Sequence, residues 1–211
     1  SVLIMKDDSF ETFFESENTY PLAPIVVAGP GTGFGMGIVL PDCSPPHILP
    51  SEGGHQAYAP LTDAECDVLK YLNKKHDFVS LELVCSGSGM DAVHEALSAL
   101  HGKPYRKLPP AVIRDRAEAG DAVCQDVCEI RASSVMGAVG DMALATGALG
   151  GVVLAGGVSE RLSDYLRAPK AMGRFFNRGP RTDYMKNISI RLLTHPEAPL
   201  YGAAALYKDQ L

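Results

Sequence analysis

Nine consecutive residues carry glycine at every second position: Gly29-Pro30-Gly31-Thr32-Gly33-Phe34-Gly35-Met36-Gly37. Short apolar runs flank them, Ile25-Val26-Val27-Ala28 before and Ile38-Val39-Leu40 after. In an extended chain alternate residues share a face. One face of this run is then free of side chains, and glycine also permits positive φ. Two readings fit. One is a tight strand–turn–strand with no ligand. The other is a cradle whose backbone N–H groups approach an anion, with the Thr32 hydroxyl as a further donor. No register of the run supplies G-x-G-x-x-G, no G-x-x-x-x-G-K-[ST] occurs, and the glycines lead into an apolar run rather than a helix.

The rest of the chain reads as one α/β unit. After PDCSPP, His47-Ile48-Leu49 continues the two strands as an antiparallel meander. Thr62-Asp63-Ala64-Glu65 is a capping box, with Val68, Leu69 and Leu72 following at helical spacing. MDAVHEALSALHG predicts a second helix stopped by Gly102. The longest periodic segment spans about 112–148; its second half, ASSVMGAVGDMALATGALGG, is rich in small residues that allow close approach to a sheet. Gly151-Val152-Val153-Leu154-Ala155 predicts a strand ending in Gly156-Gly157, and SERLSDYL a helix. Ile188, Ile190 and Leu192 alternate with polar residues as a half-buried strand. The tail YGAAALYKDQL favours helix.

Composition narrows the function classes. A chain of 211 residues suffices for one core. A net charge of −6 argues against a nucleic-acid groove. No run approaches about 18 apolar residues, so no membrane span is expected. SVLIMKDDSF does not read as a signal peptide, and with no initiator Met the start suggests a processed chain or a fragment. The five cysteines, at 43, 66, 85, 124 and 128, are odd in number and include no C-x-x-C. They read as reduced core thiols, which points to the cytoplasm.

Polar candidates stand out against this background. In Ser51-Glu52-Gly53-Gly54-His55, two glycines hold a carboxylate and an imidazole on a flexible, turning backbone. A carboxylate accepts two hydrogen bonds side by side, which suits vicinal sugar hydroxyls; the alternative is a plain polar loop. Glu82, within the apolar stretch of VSLELVCSGSG, lies either on a solvent face or in a functional position. Other signals fail. His94-Glu95 would need a histidine at 98 and meets Ser98, and Ser88 lacks a G-x-S-x-G frame. Lys170, Arg174, Arg178 and Arg181, with Phe175 and Phe176, read as a solvated loop with aromatic anchors, or as an anion or subunit contact.

Taken together, the segments VAGPGTGFGMG, LPSEGGHQAYAP, VSLELVCSGSGM and GGVVLAGGVSERL resemble, in order and spacing, those of the bacterial glucokinase family. The resemblance runs from about residue 24 to the C-terminus. It implies an α/β fold of the ribonuclease-H-like (actin/hexokinase) type, a mixed sheet with flanking helices. It implies a glucokinase that transfers a phosphoryl group from ATP, with Mg2+, to the glucose 6-hydroxyl, in a cytoplasmic homodimer. By position Glu52, His55 and Glu82 would hold glucose hydroxyls. Gly31, Thr32 and Gly33 would contact ATP phosphates, and Gly156 and Gly157 would let the nucleoside pack on backbone. The family's Asp-x-Gly-Gly-Thr and its Asn-Asp-Phe, whose aspartate is the general base, do not occur here. No catalytic residue is therefore assigned within the chain. The organisation expected is a lead-in segment 1–24 left from an inter-domain region, a large nucleotide- and sugar-binding domain 25–200 and a C-terminal helix 201–211, with the family's small domain missing. A non-catalytic sugar- or nucleotide-binding module, and a kinase for another hexose, are the alternatives.

Overall fold

The structure is a computed structural model that describes residues 2–208. Ser1 and 209–211, which end the expected C-terminal helix, lie outside the described residues. Among the described residues six strands form one sheet: β1 (Phe10–Phe14), β2 (Ile25–Pro30), β3 (Phe34–Leu40), β4 (His47–Ser51), β5 (Gly151–Ala155) and β6 (Ile190–Leu193). Their order is β1-β6-β5-β2-β3-β4. β2, β5 and β6 are parallel; β3 is antiparallel to β2 and to β4, and β1 is antiparallel to β6. The expected meander is β2–β4. β1 falls within the lead-in segment, where no strand was expected although Phe10, Thr12, Phe13 and Phe14 are strand-favouring residues; it pairs Phe10 with Leu193 at the sheet's edge.

Alternation decides which face is covered. Val26 and Ala28 of β2, and Phe34, Met36 and Ile38 of β3, point to the helical side and are buried. Among the described residues ten α-helices follow one another: α1 (Asp63–Leu72), α2 (Leu81–Cys85), α3 (Met90–Leu100), α4 (Pro110–Glu118), α5 (Ala122–Thr146), α6 (Gly157–Arg161), α7 (Ser163–Arg167), α8 (Pro169–Phe176), α9 (Thr182–Met185) and α10 (Ala198–Lys208). The capping box opens α1, with Thr62 Oγ1 accepting from Glu65 N–H and Glu65 returning a bond to Thr62 N–H. On the sheet's other face Val153 and Leu193 lie under Val2, Met5, Phe10 and Ala198.

The long periodic segment is two helices. Gly120 takes φ +91°, and Asp121 then caps α5 at Cys124 N–H, 3.1 Å. α5 is buried on most of its circumference. Its small residues serve a helix more than the sheet. A Cβ on Gly140 would collide with Arg178, and one on Gly137 would lie 3.1 Å from Arg174 Nη2. Arg178 Nη2 donates to Gly137 O at 2.8 Å and Arg174 Nη2 to Ala59 O at 3.1 Å. These two members of the basic run are internal braces of α8, which corrects the solvated-loop reading. Cys85, Cys124 and Cys128 are buried free thiols, whereas Cys66 is half-buried and Cys43 exposed, which corrects the core-thiol reading for those two.

Candidate functional site

The strand directions bring the sequence candidates to one edge. β2 ends at Pro30 and β5 at Ala155; β4 runs in the direction of β2 and ends at Ser51, opposite Met36 at the start of β3. Ligands of open α/β sheets bind outside the carboxyl ends of such strands. The hairpin tip 31–33, the segment after Ser51 and the bend after Ala155 all lie there.

The tip is built from backbone. Gly31 N–H donates to Gly33 O at 2.8 Å, Gly87 N–H to Gly31 O at 2.8 Å, and Ser88 Oγ to Thr32 O at 2.7 Å. The carbonyls of Gly31 and Thr32 are thus taken up by the segment 86–89, and that of Gly33 by the tip itself. Among the described residues the amides of Thr32 and Gly33 have no protein acceptor. None of the glycines from 29 to 37 has positive φ, so the alternation is not there for backbone freedom. At some positions packing does not require glycine either: a Cβ on Gly31 or Gly35 would meet nothing within 4 Å, and the backbone there stands open. At Gly33 the space is filled, since a Cβ there would lie 2.6 Å from Glu82 Oε2.

Glu82 sits in the first turn of α2, whose N-cap Ser80 accepts from Leu83 N–H at 3.2 Å. Its Oε2 accepts Phe34 N–H at 2.8 Å. The acid in an apolar stretch is therefore held in position at the tip's exit. Behind it, buried Arg131 donates from Nε to Cys85 O at 2.7 Å and fixes the end of α2.

Glu52 precedes and His55 ends a 3-10 turn, Gly53–His55, closed by His55 N–H to Glu52 O at 2.9 Å. Both side chains are exposed. The two glycines between them are buried and packed, which corrects the flexible-loop expectation. A Cβ on Gly54 would run into the Phe34 carbonyl oxygen, and one on Gly53 would lie 2.8 Å from Met142 Cε. Leu81 N–H to Gln56 O at 2.8 Å and Tyr58 N–H to Val79 O at 2.9 Å tie this turn to the start of α2. Phe34 thus links the two acids' segments, with its amide on Glu82 and its carbonyl under Gly54.

Gly156 takes φ +89° at the bend between β5 and α6, a conformation suited to glycine. Its nearest neighbour would be Pro30 O at 4.0 Å, and Gly157 is open. Sequence reasoning missed the clamp made by Gly87 and Ser88, and it missed Arg131. The S-G-S-G pattern at 86–89 was the available signal for the clamp. Among the described residues no three His, Cys, Asp or Glu side chains converge as metal ligands. No residue is therefore assigned to Mg2+; that ion is commonly held through phosphate oxygens and water.

A family profile described as Glucokinase matches residues 1–210. The chain belongs to the glucokinase family. It is 36% identical over 192 residues to a glucokinase of Chromobacterium violaceum, covering 90% of this chain and 55% of that protein. It is 37% identical over 188 residues to a bifunctional protein glk of Burkholderia orbicola, covering 89% of this chain and 29% of that protein. The chain thus spans little more than half the length of the first of these family members. Its fold superposes on the crystal structure of a glucokinase from an Antarctic psychrotroph with a TM-score of 0.90 at 32% identity, covering 97% of this chain and 64% of the other. A glucokinase of Balamuthia mandrillaris, solved in complex with glucose, gives 0.77 at 20% identity, covering 90% and 56%, a likeness of fold. The ribonuclease-H-like class implied by the sequence is the fold of the family's solved members.

Proposed function

We propose that this chain is the sugar- and nucleotide-binding part of a kinase that phosphorylates glucose at its 6-hydroxyl with ATP. One observation carries the reading: the bare tip 31–33, the turn bearing Glu52 and His55, the clamped Glu82 and the open Gly156-Gly157 bend share one sheet edge. The free amides of Thr32 and Gly33 would take phosphate oxygens, as backbone nests do. Gly156 and Gly157 would admit the nucleoside against backbone. Glu52, His55 and the second oxygen of Glu82 would accept from, or donate to, sugar hydroxyls. A sugar lacking a bonded hydroxyl would leave such a group unpaired, at about 1–3 kcal/mol.

Phosphoryl transfer rests on positioning and charge stabilisation. In this reading the chain orients donor and acceptor, while the aspartate base that takes the 6-hydroxyl proton lies outside it, since neither Asp-x-Gly-Gly-Thr nor Asn-Asp-Phe is present. The same family membership supports a cytoplasmic homodimer. The test is a coupled phosphorylation assay on this chain beside calorimetric titration with ATP and glucose. Nucleotide binding, weaker glucose binding and negligible turnover are expected. Family-like turnover by this chain alone would overturn the assignment of the base, and absence of binding to both ligands would overturn the site.

A further inference from the structure

A groove of about 440 Å3 opens between α3, the segment 101–109 and the junction of α4 with α5. That is a small-molecule volume. Its depth is buried and largely apolar: Leu108 and Val123 line it, with the ring of His94, which is 6% exposed. Its rim carries Lys103, Arg106 and Arg116, all exposed.

The rim charges are only partly compensated: the Asp121 carboxylate in the lining lies within electrostatic reach of Arg116. Among the described residues none of the three enters an ion pair, whereas Lys75, Arg167, Lys170 and Arg178 each reach a carboxylate. The acid in the lining, Asp121, has an oxygen engaged in capping α5, and His101 is engaged by Asp126 at 3.0 Å. On a chain of net charge −6 such a cluster stands apart. The segment presenting two of them is braced. Tyr105 Oη donates to Asp91 at 2.8 Å, Leu108 N–H to the same carboxylate at 3.1 Å, and Lys103 N–H to Ser98 O at 2.8 Å.

We propose that this groove is a second binding site, for a phosphomonoester, whose dianion is taken by Lys103, Arg106 and Arg116 and whose organic body lies on Leu108 and Val123. Guanidinium groups match phosphate oxygens in pairs. The groove is distinct from the site described above. The segment 86–89 that clamps the tip precedes the first residue of α3, and the loop bearing Lys103 and Arg106 follows its last, about 16 Å away along an 11-residue helix.

The experiment is a site-resolved amide NMR titration of the full chain with phenyl phosphate and, separately, inorganic phosphate, at constant ionic strength. Saturable shifts at 101–108 are expected, with phenyl phosphate the tighter ligand. Replacing Arg106→Gln with Arg116→Gln should weaken it at least tenfold without moving the urea midpoint, since both side chains are exposed. Lys103→Gln, expected to weaken it several-fold, is the single-site check should the double variant fold poorly. Shifts confined to 31–33 and 156–157, or affinity indifferent to the charge substitutions, would overturn the site. Equal affinity for the two probes would overturn the ester assignment. Because the readout is resolved by residue, failure here leaves the proposed nucleotide site separately testable.

Discussion

The Glu82 carboxylate accepts the Phe34 amide at 2.8 Å and occupies the place a Cβ of Gly33 would take, 2.6 Å from its Oε2. One acid thus braces the hairpin and stands beside the proposed sugar site. The two roles separate by substitution. Glu82→Ala removes a charged hydrogen bond from a half-buried position and should cost about 1–2 kcal/mol in urea unfolding. Glu82→Gln keeps a carbonyl that accepts Phe34 N–H, so stability should be nearly retained while glucose affinity in calorimetry falls about tenfold, or 1.4 kcal/mol. Equal glucose affinity in the wild type and both variants would remove Glu82 from the sugar site.

Gly31 and Gly33 should respond oppositely to alanine. Gly31 has ordinary φ and open space, so alanine there should leave stability unchanged or raise it by about 0.4–1 kcal/mol through the unfolded chain. The new methyl would shield the amides next to it, and ATP affinity should fall about tenfold. Gly33→Ala must displace Glu82 and should lower both stability and glucose affinity. Unfolding curves and two titrations decide it. A Gly31→Ala chain that binds ATP as the wild type does would sink the cradle.

These contrasts mark what the sequence could and could not say. Val26 and Ala28 alternate with less buried neighbours, and Thr62 and Glu65 stand three apart, so strands and cap follow from local pattern. The glycine alternation pointed to a bare face, yet only packing distinguishes Gly31, which is open, from Gly33, which Glu82 fills. Gly53 and Gly54 looked like flexible hinges because sequence carries no record of Met142 lying against the one and the Phe34 carbonyl against the other. The place of strand β1 was hidden for a similar reason, although Phe10, Thr12, Phe13 and Phe14 favour a strand locally. Its partner β6 lies about 180 residues on, at Leu193 for Phe10, so its pairing is wholly non-local.

Gly54→Ala tests that close packing. The methyl would meet backbone, the Phe34 carbonyl oxygen, which cannot rotate away as a side chain can. A loss of about 1–3 kcal/mol is expected from overpacking. Since the same turn carries His55 and Glu52, glucose affinity should fall with it. A Gly54→Ala chain with unchanged unfolding midpoint would show that the turn has slack and that its glycine is not required by contact.

His94 supplies a pH test of the fold. Its ring is buried on α3, and Nδ1 finds no hydrogen-bond partner among the described residues. Burial pulls its pKa below the usual imidazole value; the carboxylates of Asp91 and Asp121 oppose this, and Arg116 adds to it. The unfolded chain therefore binds a proton that the folded chain resists. Stability from this group is full above the unfolded pKa of about 6.5 and is lost as pH falls toward the lower folded value. Urea midpoints measured at about pH 7.5 and 5.5 should drop more for the wild type than for His94→Gln, which has no proton to gain. An equal drop in both would place the acid sensitivity elsewhere and leave His94 titrating as it does in the unfolded chain.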